Sequence, residues 1–153
     1  MALDLSILLR LIVAIVLAGI LGWERERAGK SAGIRTHMLV GLSAALFVVL
    51  GELFILRFRD NDLLRFDPIR IVEAVVTGIS FLGAGTIFVA KEKEEKVQGL
   101  TTAAAILATA AIGLIVGLER YFLATAATLI IFIVLYSINF IEFKNKKPES
   151  QSE

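Results

Sequence analysis

The sequence predicts an all-α, polytopic membrane protein with five transmembrane helices. Hydrophobic residues make up 57% of the 153, and adding the glycines while removing the tyrosines brings the apolar share to about 63%, against roughly 45–50% in soluble domains. Runs free of Asp, Glu, Lys and Arg extend 22 residues from Val97 to Leu118, 21 from Tyr121 to Ile141 and 17 from Ala74 to Ala90. A bilayer core needs about 20 mostly apolar residues per helix. The charged residues, 20% of the chain, collect largely between these runs.

The first span covers about 5–23 and carries one charge, Arg10. Asp4 stands where a signal peptide has a basic region, and Glu24-Arg25-Glu26-Arg27 where it has a cleavage site, so this span stays in the chain. The second covers 37–56, with Glu52 inside and His37 at its edge. The third covers 69–90, the fourth 100–118 and the fifth 121–141. Together they form one transmembrane domain over 1–143, followed by a polar tail, 144–153, whose Lys144, Lys146 and Lys147 suit anionic lipid. With the N-terminus outside, ten basic residues face the cytoplasm and five face out, so the C-terminus is cytoplasmic. Trp23 and Tyr121 fall at span ends, where amphipathic rings prefer the interface.

A net charge of +1 argues against a nucleic-acid partner. The absence of Cys excludes disulfides, thiolate metal sites and cysteine nucleophiles, and one His disfavours His-rich metal sites and most triads. With no H-E-x-x-H, paired-Asp arrangement or phosphate-binding loop, the sequence points away from an enzyme.

Charges inside spans cost about 2.5–3.5 kcal/mol each at the helix centre and ask for a reason. Arg10, Glu52 and Glu73 converge on one depth near the outer surface, and Arg70 lies one turn from Glu73, at pairing distance. This intramembrane polar cluster is either a self-satisfied ion-pair network or an outward pocket for a cation. Glu52, Glu73 and Asp67 are its candidate metal ligands; magnesium suits such oxygen donors, and nothing in the spacing chooses it over sodium or a proton. His37 is either a packed, hydrogen-bonded residue or a pH sensor. The run Lys91–Lys96 reads as a solvated loop.

Two stretches 66 residues apart look alike: Gly33-Ile34-Arg35-Thr36 opens span two, and Gly99-Leu100-Thr101-Thr102 opens span four. Read as a duplication, spans one–two and three–four are one hairpin used twice in parallel, with a fifth helix added; chance similarity is the other reading. Thr36 and Thr102 stand where helix N-caps belong, and those helix ends are also potential anion or headgroup sites. Gly78, Gly83 and Gly85 on span three, and the Gly113-x-x-x-Gly117 pair, permit close helix approach, within one bundle or across a homodimer seam.

Taken together, Gly22–Glu26 with Ala32–Val40, then Asp67, Arg70-Ile71, Val75-Val76 and Gly78–Ile87, then Val97–Ala104 with Ile112-Gly113, resemble the MgtC/SapB family of bacterial membrane proteins. The resemblance implies five spans in the inner membrane and a link to magnesium limitation and, in pathogens, to survival inside host cells. It implies a regulator that contacts other membrane proteins, the ATP synthase among them; the alternative is a magnesium or other cation transporter. The implied functional motif is Glu24, Arg25, Glu26, Arg35 and Thr36 with Thr101 and Thr102. Many members continue into an ACT-like C-terminal domain, which this sequence lacks. Ala74 and Ser80 also depart from the Gln and Gly usual in the family.

Overall fold

The protein, seen in a computed structural model, is described over residues 2–58, 67–91 and 95–145. Among the described residues five helices follow in order: α1 (Ala2–Arg27), α2 (Ile34–Arg57), α3 (Pro68–Ala84), α4 (Leu100–Gly117) and α5 (Tyr121–Asn145). Between α3 and α4 lies an antiparallel hairpin, β1 (Phe88–Lys91) paired with β2 (Glu95–Gln98), with Phe88 opposite Gln98 and Lys91 opposite Glu95. Among the described residues α1, α2 and α4 are each long and apolar enough to cross a membrane. The run of α3 is 17 residues, about 25 Å at 1.5 Å per residue.

Span three therefore ends six residues earlier than expected. The chain tightens after Ala84, where Gly85 N–H donates to the Phe81 carbonyl, Thr86 N–H to Gly83 and Ile87 N–H to Ala84. Thr86 Oγ1 also donates to the Gly83 carbonyl. Residues 88–90 then join a strand, so the Lys91–Lys96 run is part hairpin; residues 92–94 lie outside the described residues. The polar tail beyond Asn145 also lies outside them.

The N-caps also differ from expectation. Gly33 and Gly99 occupy the cap positions of α2 and α4, which places Thr36 and Thr102 in the first helical turns. The capping oxygen of α2 comes instead from Glu26, whose Oε2 accepts from Ile34 N–H at 2.9 Å. A Cβ at Gly33 would lie 2.5 Å from that oxygen, so a side chain there would push the carboxylate off its capping position. Gly99 has φ +90°, and a Cβ there would meet the Thr86 carbonyl. The two helices start 66 residues apart, but one follows a tight turn and the other a β-hairpin.

The core is the crossing of α1, α2 and α4, with α5 against α1 and α4. It is built on small residues. A Cβ at Gly113 would sit 2.3 Å from the Gly41 carbonyl, one at Gly41 2.6 Å from Ala18 Cβ, and one at Gly117 2.7 Å from Val48 Cβ. The Gly113/Gly117 pair is thus used inside the chain. Ala14, Leu17, Leu21, Ile112 and Val116 fill one side of the crossing, and Val40, Ala44, Ile106 and Ala110 the other. The buried hydroxyls of Thr109 and Thr128 donate to the carbonyls four residues back, so they bring no unpaired group into this core.

α3 is peripheral. Only Val75 and Gly83 are buried on it; Gly83 packs on Ala103 of α4, and Ile71 drives into the space above Gly51 of α2. Gly78 faces open space, so among the described residues it supports no close approach, and Gly85 serves the helix end rather than a crossing.

Candidate functional site

Charge gathers at the two ends of α1, with Arg10 near one and Glu24–Arg25 near the other. Fifteen residues separate the two arginines, about 22 Å along the helix.

At the Arg10 end the arginine is 5% exposed and its guanidinium is fully engaged. Its Nη1 donates to Glu52 Oε2 at 2.5 Å and to the Gly117 carbonyl at 3.1 Å. Its Nε donates to Glu119 Oε1 at 2.8 Å, and the same oxygen accepts from Ser6 Oγ at 2.7 Å. α1, α2 and the α4–α5 turn are tied together by one cation. That turn closes α4 with Glu119 N–H on the Val116 carbonyl and Arg120 N–H on Ile115, a pattern whose left-handed residue is usually glycine. Here Glu119 takes it, at φ 61°. Left-handed backbone costs an L-residue about 1–2 kcal/mol, and the contacts of the carboxylate with Arg10 and Ser6 offset that strain. The Ser6 hydroxyl, followed by the Arg10 guanidinium, holds the Glu119 carboxyl below the usual carboxylate range.

Glu73 does not join this cluster. It is exposed on α3, as is Arg70, and no ion pair links the two among the described residues. Asp67 caps α3, its Oδ1 accepting from Ile69 N–H at 3.0 Å. The three candidate metal ligands are therefore not brought together, and no group of three or more His, Cys, Asp or Glu assembles among the described residues. Glu119, not singled out from sequence, takes the place expected for Glu73. Its signal was the isolated Glu119-Arg120 pair between two charge-free runs.

Beside the cluster opens a crevice of about 490 Å³ between α2, α3 and α4. Aliphatic side chains wall it, and Arg10, Glu52 and Glu119 form its polar edge. A second crevice of similar volume, lined by Phe47, Phe54 and Arg70 among others, lies on the other side of the Ile71–Gly51 contact.

At the other end of α1, Glu24 and Arg25 are 4% and 1% exposed and form an ion pair. Arg25 Nη2 also donates to the Leu135 carbonyl of α5 at 3.3 Å. His37 is fully buried within electrostatic reach of both; its Nδ1 lies 3.0 Å from the Gly33 carbonyl, and Nε2 has no hydrogen-bond partner among the described residues. α1 ends by the same pattern as α4, with Gly29 at φ +67° in the left-handed position. Of the motif residues, Thr102 is buried, Glu26 caps α2, and Arg35, Thr36 and Thr101 are exposed. The motif therefore divides into a buried ion pair beside His37, a cap, a buried threonine and an exposed rim. Arg27 lies over the Trp23 ring at 5.3 Å.

The family model described as the MgtC family matches residues 11–144. The chain belongs to the MgtC family. Its relatives include a protein of Escherichia coli strain K12 named "Putative magnesium transporter YhiD", 39% identical over 137 residues, covering 90% of this chain and 62% of that protein. Protein SapB of Bacillus subtilis is 30% identical over 144 residues, 94% of this chain and 60% of SapB. Protein MgtC of Brucella abortus is 38% identical over 121 residues, 79% of this chain and 46% of MgtC. The chain thus spans about three-fifths or less of the length of these three relatives. No solved structure matches it. Membership in the MgtC family agrees with the apolar helices in making this a membrane protein.

Proposed function

We propose that this MgtC-family chain is a five-span module of the inner membrane, N-terminus outside, that acts by contact with other membrane proteins and is not an enzyme. The observation that carries this reading is the packing between the two charged ends. Over the middle of α1, α2 and α4, glycines and alanines bring backbones into contact, and the buried Thr109 hydroxyl is engaged by its own helix. Ion passage calls for a polar or water-filled path. Both crevices described above open near Glu52, and among the described residues none of the Glu24–Arg25 end lines either of them. The exposed face of α3, with Gly78 and Phe81, is the seam on which a second copy or another membrane protein would pack.

The second reading, a transporter of magnesium or another cation, is favoured by the name of the YhiD relative and by the half-exposed Glu52 at the crevice. Purified protein in liposomes loaded with a magnesium-sensitive dye separates the two. The module predicts influx no faster than in protein-free vesicles. Saturable magnesium influx abolished by Glu52→Gln would replace it with the transporter.

A further inference from the structure

Among the described residues, the crevice beside Arg10 carries more negative charge than its arginine balances. We propose that it binds a membrane lipid whose headgroup ends in a primary ammonium, with the aliphatic part of the lipid along its wall. Its volume, about 490 Å³, falls in the range of small-molecule sites. Val48, Ile55, Ile69, Val72, Leu114 and Leu118 give the wall hydrocarbon to offer a chain. At the polar edge two carboxylates face one guanidinium, leaving one negative charge in excess among the lining residues.

The pairing geometry determines which part of that charge is free. Arg10 is almost entirely buried, and its Nε, Nη1 and Nη2 are held by Glu119, Glu52 and the Gly117 carbonyl. The carboxylate side chains remain 41% and 48% exposed. Among the described residues each is engaged through one oxygen only, so there Glu52 Oε1 and Glu119 Oε2 still have lone pairs to accept hydrogen bonds. A primary ammonium has three N–H donors for such oxygens. A quaternary ammonium has none and relies on aromatic rings, which the lining lacks. An anionic headgroup would set its own charge against the free carboxylate oxygens, with the arginine already taken.

The level in the bilayer also fits. Glu52 lies five residues from the end of α2, about 7–8 Å along the helix, and Glu119 lies in the turn beyond α4. The inference rests on the five-span reading, which puts both at the membrane surface.

The test uses the full chain in nonionic detergent, incubated with equal amounts of dioleoyl phosphatidylethanolamine, phosphatidylcholine and phosphatidylglycerol and weighed by native mass spectrometry. Phosphatidylethanolamine should be retained about tenfold over the other two. Glu52→Gln, which removes the excess charge, should cut its retention about tenfold, to the phosphatidylcholine level. Val72→Trp, which fills the crevice and leaves both carboxylates in place, should do the same. Equal retention of the three lipids, a preference for phosphatidylglycerol, or phosphatidylethanolamine retention unchanged in both variants would overturn the proposal. So would saturable magnesium binding lost in Glu52→Gln without any headgroup preference, which would assign the crevice to a metal ion. Failure of the five-span reading is a separate result, with the two chain ends reacting from the same side of the membrane.

Discussion

Replacing Gly113 by alanine and Gly78 by alanine adds the same methyl group to two apolar helices, and the structure predicts opposite signs. At Gly113 the new Cβ lies 2.3 Å from the Gly41 carbonyl oxygen and 2.8 Å from Ala44 Cβ, where ordinary contact begins near 3.4 Å. α4 must therefore retreat from α2 by about 1 Å, because a backbone carbonyl cannot rotate aside. A gap of that size forfeits about a quarter to a half of each dispersion contact across the crossing. Overpacking a filled core costs about 1–3 kcal/mol, and the backbone neighbour puts Gly113→Ala in the upper half, about 2–3 kcal/mol. At Gly78 a Cβ meets nothing within 4 Å. There the substitution only restricts the unfolded chain and improves helix propensity, a gain of up to about 1 kcal/mol. Reversible unfolding in mixed micelles, at dilutions where the chain is monomeric, reads both. Equal effects, or stabilisation by Gly113→Ala, would refute the placement of the α2–α4 crossing.

Arg10→Met leaves Glu52 and Glu119 without their cation. Losing one partner of a buried pair costs about 3–5 kcal/mol, and the half-exposed carboxylates, which water can reach, bring this to about 2–3 kcal/mol in the same assay; adding Glu52→Gln and Glu119→Gln should recover most of it. The Glu119 carboxyl, held below the usual range by Ser6 and Arg10, contributes stability that is present above the unfolded-state value and lost as pH falls through the lower folded-state value. Melting temperature followed from pH 6 down to pH 3 should show an acid-side loss that is smaller in Glu119→Gln. Glu26→Ala removes the oxygen that caps α2 at Ile34 and should cost about 1 kcal/mol, read as faster amide exchange at residues 34–36.

The lengths of the charge-free runs made the helices legible, because burying an uncompensated charge in lipid is costly whatever the tertiary contacts. The Gly113-x-x-x-Gly117 spacing likewise gave a close crossing, though not its partner, which is Gly41 with Ala44 and Val48. The end of α3 was hidden because Ile87–Ala90 is apolar in either conformation, and a short apolar run carries no period that separates strand from helix. Depth arithmetic brought Arg10 and Glu52 together correctly. It chose Glu73 over Glu119, since depth along an axis says nothing of which way a helix faces. The threonine caps were misplaced by three residues because glycines take both cap positions, Gly33 with Glu26 of the preceding helix capping α2 and Gly99 in the left-handed turn that leads from the hairpin into α4.

The central claim is a chain that crosses the bilayer five times and leaves its ends on opposite faces. It contains no cysteine, so single substitutions Ala2→Cys, Ser31→Cys, Arg120→Cys and Asn145→Cys each give one reactive position. With a membrane-impermeant maleimide on intact spheroplasts, Ala2→Cys and Arg120→Cys should react at once, and Ser31→Cys and Asn145→Cys only after permeabilisation. Reaction of Ala2→Cys and Asn145→Cys from the same side would contradict the account.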